Sequence, residues 1–221
     1  MEQFLTQFFN VSLMLEAWPI VSRGLLMTLL LCVVVVPLGF AGGLMVALLG
    51  TVEHRWVRWP LVVYVDFFRA IPPLVLLIVI HSGLPFAGIR FSPFASVCLA
   101  FFLNNSAYYG EILRAGIDSI GKGQVDAARS TGLNALQAQI YVVLPQAIRN
   151  VLPDLVSNTV EVVKLTSLAS VVAFHELLYS AEMARSITYN ASPIVMAAGL
   201  YILMLWPVVR MLSRFEHRIS S

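Results

Sequence analysis

The sequence contains uncharged runs that are each long enough to cross a lipid bilayer. A bilayer core of about 30 Å requires roughly 20 apolar residues of helix. Four runs of about this length or longer lack Asp, Glu, Lys and Arg, and they cover residues 24–52, 70–89, 91–110 and 186–209. A fifth stretch, residues 155–174, is apolar except for Glu161 and Lys164. We therefore predict an all-α membrane protein with five transmembrane helices, because lipid offers the backbone no outside hydrogen-bond partner and the alternation typical of barrel strands is missing.

The composition excludes several other classes of protein. Apolar residues make up 59% and charged residues 12% of the 221 positions, whereas a soluble domain has roughly 45–50% and 25%. So few charges cannot cover the surface of a soluble enzyme, and so apolar a chain is not disordered. The net charge of +2, from 14 Lys and Arg against 12 Asp and Glu, is too small to indicate nucleic-acid binding. We expect one transmembrane domain over residues 1–221.

The residues before the first span are amphipathic. Residues 4–18 place Phe4, Phe8 and Trp18 among Gln and Asn, so they are predicted to form a short helix on the membrane surface. The first apolar run is too long and begins too late for a cleaved signal peptide. This segment is therefore expected to remain on the mature chain.

The distribution of basic residues predicts the orientation. Five spans place the two termini on opposite sides of the membrane, and cytoplasmic segments carry the excess of Lys and Arg. With a cytoplasmic C-terminus, nine basic residues lie inside and three outside: Arg55, Arg58, Arg114, Lys122, Arg129, Arg149, Arg210, Arg214 and Arg218 against Arg23, Arg90 and Arg185. We therefore expect the N-terminus outside, the C-terminus in the cytoplasm, and a large cytoplasmic loop at about residues 111–154.

This loop alternates short helices with helix breaks. Residues 124–131 are predicted to be helical, and Gly132 can adopt the left-handed conformation that ends a helix. Asn134 can cap a further helix, which is expected to end before Pro145.

The predicted helix has one face of small residues. Ala127 and Ala128 allow a partner backbone to approach closely, and Asp126 and Arg129 flank them with charges suited to a groove in another protein. A solvated amphipathic loop without a partner is the other interpretation of this composition.

The spacing in the loop resembles a known motif. Asp126-Ala127-Ala128, three residues, Gly132, nine residues and Val142-Val143-Leu144-Pro145 resemble the EAA loop of the permease subunits of ATP-binding-cassette (ABC) importers. Asp126 replaces the usual Glu and Val142 the usual Ile.

Further stretches narrow the resemblance. Residues 107–117, 122–124, 144–147 and 164–168 are similar to the polar amino acid uptake family of these permeases. The sequence departs from that family at residues 70–73, where Gly-Thr-Pro is usual, and at Leu165, which is usually Asp.

The resemblance implies a type I ABC importer permease fold and a cytoplasmic coupling helix at about residues 124–132. The residues expected to couple the chain to an ATPase are Gln124, Asp126, Ala127, Ala128, Arg129, Gly132, Leu144 and Pro145. It further implies a bacterial inner-membrane transport subunit for polar amino acids or their derivatives, which is not itself an enzyme. The implied partners are a separate ABC ATPase in two copies, a second permease chain that is identical or related, membrane lipid and a soluble substrate-binding protein. ATP and magnesium belong to the ATPase, and no cofactor is expected on this chain.

Polar residues inside the predicted spans are candidates for substrate binding. Ionisable groups are costly in a bilayer and usually face the interior of the helix bundle. Asn158, Glu161 and Lys164 are each three residues apart and share one region of helix surface. Glu161 and Lys164 either contact substrate or satisfy each other. Asn104, Asn105 and Ser106 in the third span are further candidates, either as polar lining or for hydrogen bonds between helices.

The second span carries two prolines and a pair of charges at its edge. Pro72 and Pro73 are expected to break this span and free carbonyl groups toward a cavity. Asp66 and Arg69 are three residues apart, and we expect them to form an interfacial salt bridge.

Two rival functions remain open from the residues alone. An ion-coupled secondary transporter or channel could use Glu161 and Lys164 as a relay, but it leaves the docking loop unexplained. A membrane enzyme would need a nucleophile or a metal site, and the chain suggests neither. Residues 116–122 match the start of a phosphate-binding loop, but Gly123 stands where a Ser or Thr should follow.

Overall fold

The computed structural model describes residues 1–52 and 54–219, with side chains described through residue 211 apart from residue 53, so the side chains of Arg214 and Arg218 lie outside this range. All regular secondary structure in these residues is helical. The helices are α1 (Glu2–Phe8), α2 (Val11–Gly50), α3 (Arg55–Ala70), α4 (Pro73–Ile78), α5 (Pro93–Asp118), α6 (Lys122–Ser130), α7 (Ala135–Ala138), α8 (Leu144–Asn150), α9 (Leu152–Leu165), α10 (Leu177–Thr188) and α11 (Ser192–Ile219). A π-helix (Val79–Gly83) and a 3₁₀ helix (Leu84–Ala87) follow α4, a π-helix (Gln139–Val143) joins α7 to α8, and a 3₁₀ helix (Thr166–Val172) extends α9.

Three helical segments are long and apolar enough to cross a membrane. They are Glu2–Gly50, Leu152–Val172 and Ser192–Met211, and α3 with the helical turns after it adds a fourth if this bent pair forms one span. Helix α5 has 26 residues, but Asn104, Asn105 and Ser106 make its centre less apolar. The count is therefore three or four by length and composition among the described residues, and the arrangement of five spans stays a prediction.

Helices α2 and α5 form the most extensive helix pair of the fold. A Cβ atom on Gly43 would lie 2.7 Å from the backbone nitrogen of Gly110, a distance that real Cβ contacts do not reach. The two backbones therefore touch where both helices lack a side chain, as is usual for helices that pack in membranes. This contact fixes the height and rotation of α5 relative to α2.

The prolines of the second span break it as predicted. The axes of α3 and the following helical segment differ by 100°. A proline has no N–H, so Pro72 and Pro73 cannot donate to the carbonyls four residues earlier, those of Phe68 and Arg69. The Asn104 side-chain amide donates to the Phe68 carbonyl (2.8 Å). The two prolines thus leave the carbonyls of Phe68 and Arg69 without partners in their own helix, and these carbonyls require donors from another helix.

The partner of Arg69 differs from the expected one. Its guanidinium lies 3.7 Å from Glu111 on α5, and the predicted pair with Asp66 is not formed. Helical spacing allowed the Asp66 pair, but the approach of α5 offers a carboxylate from a different helix.

A second break divides the last apolar run. Helix α10 ends at Thr188 and α11 begins at Ser192, so the predicted span at residues 186–209 starts several residues later. Tyr189 adopts a left-handed backbone conformation with a φ of 50°. The backbone N–H of Asn10 donates to the Ser192 hydroxyl (2.9 Å), which ties the N-terminus to this turn.

The predicted surface segment at residues 4–18 is divided by a break at Phe9 and Asn10, where Asn10 bonds to Ser192. Helix α1 ends at Phe8, and residues 11–18 form the first turns of α2. Phe4, Phe8 and Phe9 are exposed and lie close together, with 4.9 Å between the ring centres of Phe4 and Phe8. The position of α1 on the membrane surface stays a prediction.

A buried carboxylate holds α10 in place. Glu176 has 0% exposure and caps α10 by accepting hydrogen bonds from the backbone N–H groups of Leu178 (2.8 Å) and Tyr179 (2.7 Å). The hydroxyl of Tyr201 on α11 donates to the same carboxylate (3.1 Å). Buried charges persist only where such bonds satisfy them, so this residue joins α10 to α11.

Candidate functional site

A polar cavity lies beside the break between α3 and α4, and we call it the asparagine cavity. Its volume is about 240 Å³, several times the ~30 Å³ that a water molecule occupies in the liquid. The lining residues come from α4, α5 and α9, and they are Pro73, Asn104, Asn105, Tyr108, Asn158, Glu161, Val162 and Leu165. The cavity is therefore large enough for a small solute.

Three polar atoms around this cavity have no hydrogen-bond partner among the described residues. They are Oδ1 of Asn104, Nδ2 of Asn105 and Nδ2 of Asn158, and all three are buried. Folded proteins pair the large majority of their buried polar atoms, because an unpaired one loses its hydration without compensation. One acceptor and two donors without partners thus belong to residues that line this one cavity.

The break in the second span orients this cavity. Asn104 uses its amide nitrogen on the Phe68 carbonyl, so its Oδ1 remains available. The Tyr108 hydroxyl donates to the other freed carbonyl, that of Arg69 (3.3 Å). Asn104 and Tyr108, which donate to the two freed carbonyls, thus also line the cavity.

Glu161 and Lys164 form an ion pair with each other. Their side chains are 62% and 50% exposed, respectively, so neither is buried within the chain. Glu161 lines the asparagine cavity, whereas Lys164 lines an apolar groove between α9 and α11. Glu161 and Lys164 therefore satisfy each other, as one of the two predictions had it, and the Glu161 carboxylate still lies at the edge of the cavity.

The predicted substrate residues separate into two groups. Asn104, Asn158 and Glu161 meet at one cavity, and Lys164 faces away from it. The Ser106 hydroxyl is buried and shares a hydrogen bond of 2.6 Å with the Tyr64 hydroxyl, so it joins α5 to α3 and does not line the cavity.

Tyr108 is a lining residue that the site prediction omitted. It lies one helical turn after Asn104, and the spacing of four residues places both on one face of α5. That spacing was a usable signal. Its contact with the Arg69 carbonyl was not predictable, because it depends on how α3 approaches α5.

The helix predicted at residues 124–131 is present as α6, and its coupling role stays a prediction. Its exposed residues include Gln124, Asp126, Ala127 and Arg129, whereas Ala128 is buried. The two alanines therefore do not share one role: Ala128 packs against the chain, and Ala127 leaves a shallow spot on the outer face. An exposed helix with a small residue between charges is suited to dock in a groove of another protein.

The turn after α6 has the predicted geometry. Gly132 has a φ of 91°, a left-handed conformation that strains residues with a side chain. The next helix begins with a reciprocal cap in which Asn134 Oδ1 accepts from the Gln137 backbone and the Gln137 side chain accepts from the Asn134 backbone, both at 2.9 Å. Local sequence thus sets both ends of this turn.

The helix after the turn was expected to end before Pro145, and this prediction is wrong. It continues through the π-helix Gln139–Val143 into α8, with Leu144 and Pro145 in the first turn of α8. The wider π turn accommodates the missing N–H of the proline, and the Gln146 side chain donates to the Val142 carbonyl (2.7 Å). Leu144 is half-buried and Pro145 is exposed beside this turn.

Comparisons with known proteins agree with this architecture. A family model described as "Binding-protein-dependent transport system inner membrane component" matches residues 39–221. The chain is 35% identical over 215 residues to the probable amino-acid ABC transporter permease protein YckA of Bacillus subtilis (strain 168), which covers 96% of this chain and 93% of that protein. It is also 35% identical over 196 residues to the probable glutamine ABC transporter permease protein GlnM of the same organism, with 89% and 91% covered.

Solved structures show the same fold. A chain in the crystal structure of an amino acid ABC transporter with histidines is 35% identical, has a TM-score of 0.83, and the match covers 93% of this chain and 96% of that chain. The MetNI methionine ABC transporter in an inward facing conformation is 19% identical with a TM-score of 0.74 over 90% and 96% of the two chains, which shows the fold alone. The all-helical permease fold predicted from the sequence is confirmed. The chain belongs to the family of inner-membrane components of binding-protein-dependent transport systems, the permease subunits of ABC transporters.

Proposed function

We propose that the chain imports polar amino acids or close derivatives across a bacterial inner membrane, and that the asparagine cavity binds the amino acid during transport. The observation that carries the substrate assignment is the convergence of three unpaired buried polar atoms at this cavity. The amino acid and glutamine permeases that share 35% of its residues support the same substrate class.

The cavity complements the charged head of an α-amino acid. The two unpaired N–H donors, Asn105 Nδ2 and Asn158 Nδ2, suit a carboxylate, and hydrogen bonds to a charged group are the stronger kind. The unpaired acceptor Asn104 Oδ1 and the carboxylate of Glu161 suit an ammonium group. Val162 and Leu165 supply apolar wall for the rest of the molecule.

In this proposal the chain is a transport subunit, and ATP hydrolysis takes place on a separate ATPase in two copies, where ATP and magnesium bind. No cofactor is assigned to this chain. The exposed face of α6, with Gln124, Asp126, Ala127 and Arg129, docks on that ATPase. A second permease chain, identical or related, completes the membrane part, and a soluble binding protein delivers the amino acid.

The proposed orientation places the N-terminus outside and the C-terminus in the cytoplasm. The nine basic residues on the predicted inner side against three outside support it. A docking helix for a cytoplasmic ATPase requires the same orientation, because α6 lies in the loop between α5 and α9.

Affinity purification of the tagged chain in mild detergent tests the proposal. An ATPase should copurify, and its hydrolysis should rise when a binding protein and its amino acid are added. If the chain purifies alone and moves solute in vesicles under an ion gradient without ATP, the proposal is wrong.

A further inference from the structure

Four charged side chains connect the asparagine cavity to the cytoplasmic loop, and we call them the charge ladder. From the broken span toward the loop, they are Arg69, Glu111, Arg114 and Asp118. Arg69 lies 3.7 Å from Glu111, Arg114 lies 2.7 Å from Glu111, and Arg114 lies 2.5 Å from Asp118. The last three follow one face of α5, and α6 begins four residues after Asp118.

Arg69 is the member of the ladder that lies on a different element. It precedes the break between α3 and α4, and its guanidinium lies 5.6 Å from the centre of the Tyr108 ring. A cation at this distance is attracted by the face of an aromatic ring. One side chain therefore contacts both a cavity residue, Tyr108, and the first carboxylate of the ladder, Glu111.

The backbone of Arg69 is bound by the same residue. Its carbonyl, freed by Pro73, accepts from the Tyr108 hydroxyl (3.3 Å). A ligand that contacts the Tyr108 hydroxyl competes with the hydrogen bond that holds the Arg69 carbonyl at the break. Element termini of this kind are where hinges absorb changes in backbone angle.

The geometry points to Arg69 as a positioning residue that transmits occupation of the asparagine cavity through the charge ladder to the coupling loop, by which we mean the segment between α5 and α9 that contains α6. This inference rests on the proposed function. Its side chain holds the end of α3 to α5, so the break moves only when α5 and the loop after it move, or when Arg69 releases Glu111.

The electrostatics of the ladder favour this role at neutral pH. Arg114 donates two hydrogen bonds to Glu111, 3.0 Å from Nε and 2.7 Å from Nη2, and these bonds lower the pKa of Glu111, which lies outside the predicted third span. A lowered pKa keeps the carboxylate charged at mildly acidic pH, and the pairing is lost only as the pH falls through that lowered value. Exposed ion pairs are individually weak, so the contact with Tyr108 is needed to make Arg69 a firm connection.

The test uses the complete transporter in liposomes, with its ATPase and binding protein and the amino acid that most stimulates the unaltered transporter. ATP hydrolysis is measured with and without this amino acid, and its concentration is varied to obtain KM. Arg69→Gln should reduce the stimulation of hydrolysis by roughly fivefold, at the low end of ordinary coupling between sites, with KM changed less than about twofold. Arg69→Lys, which keeps the charge, should recover part of the stimulation.

Two further variants locate the effect. Glu111→Gln should reproduce the loss, and the double variant should be no worse than either single one, because the two residues act through one contact. Arg55→Gln is the matched control, since Arg55 is exposed in the first turn of the same helix and outside the ladder, and it should leave the stimulation unchanged.

Other outcomes overturn the inference. A raised KM with full stimulation would make Arg69 a substrate-binding residue, and unchanged behaviour in both Arg69 variants would exclude any role. Additive losses in the double variant would separate Arg69 from Glu111. Failure of the unaltered transporter to respond to any standard amino acid would refute the proposed function instead.

Discussion

The asparagine cavity and the coupling loop are built in opposite ways. The cavity collects residues from α4, α5 and α9 and leaves buried polar atoms without partners. The loop is formed by one continuous stretch of chain, and its helix α6 exposes most of its residues. The cavity region has buried polar atoms without hydrogen-bond partners, whereas the loop has a helix whose side chains are exposed at the surface.

This difference separates two kinds of function. Unpaired buried atoms are costly until a small ligand arrives, so changes in the cavity should alter substrate affinity. An exposed helix held by tight turns transmits motion as a rigid unit, so changes in the loop should alter the use of ATP. The following variants test whether the two effects can be separated.

The largest effect is expected from Gly132→Val. A β-branched residue resists the left-handed conformation that Gly132 adopts, so the turn after α6 should be displaced and coupling lost, with insertion in the membrane intact. Transport and stimulated ATP hydrolysis should fall more than about tenfold, as measured in reconstituted transporter.

A matched control exists for that strain. Gly88 also has a positive φ, 84° against 91°, and a Cβ atom meets no neighbour within 4 Å at either position. Gly88→Val therefore introduces similar strain far from the loop and should leave coupling nearly normal. Normal transport by the Gly132 variant would refute the coupling-helix assignment.

Removal of a donor from the cavity should come next. Asn158→Ala should raise KM by about tenfold, since a hydrogen bond to a charged group contributes about 1.5–3 kcal/mol, while ATP hydrolysis without substrate stays unchanged. The control is Asn150→Ala, which removes an exposed amide bonded to Ser119 outside the cavity. An unaltered KM in uptake assays of the Asn158 variant would count against the cavity as the substrate site.

Glu161→Gln should have a smaller effect, because Glu161 is exposed and already paired with Lys164. We expect KM to rise about threefold through a weaker hold on the ammonium group, with assembly of the complex unchanged. Uptake measured across a panel of amino acids decides the matter. If the variant transports every amino acid with the same affinity and rate as the unaltered transporter, Glu161 and Lys164 only pair with each other and do not contact substrate.

The smallest change is expected from Asp126→Asn on the exposed face of α6. Rim charges at interfaces mainly affect the association rate and its salt dependence, so binding of the ATPase should weaken about twofold at low salt and less at high salt. KM for the amino acid should not move. Sedimentation or copurification at two salt concentrations measures this binding. A change in KM would show that the loop also affects substrate affinity and that the two functions are not separate.

Local chemistry made much of the loop and of the broken span predictable. The α6 helix, the left-handed turn at Gly132 and the cap at Asn134 each depend on residues close together in the chain. The same holds for the break at Pro72 and Pro73, since a missing N–H acts on the carbonyl one turn earlier. The prediction that the helix ends before Pro145 was wrong, because the π-helix Gln139–Val143 accommodates the missing N–H of the proline and the helix continues.

Contacts between helices were less predictable. The partner of Arg69 is Glu111 rather than Asp66, and Ser106 bonds Tyr64 rather than lining the cavity. Helical spacing tells which residues share a face of one helix, but not which face meets the next helix. The hydrogen bond from Tyr201 to the buried carboxylate of Glu176 gave no sequence signal, because Tyr201 lies on α11, 25 residues further along the chain.

The apolar runs, the membrane environment, helix α6 with its turn at Gly132 and the place where the second span breaks all follow from the amino-acid order, because each depends on residues that are neighbours in the chain. The packed fold determines the asparagine cavity and the charge ladder. Gly43 and Gly110 let α2 and α5 touch, and this contact sets the height and rotation at which α5 presents its polar residues. Those two quantities arise from close packing between helices, and periodicity within a single helix does not contain them.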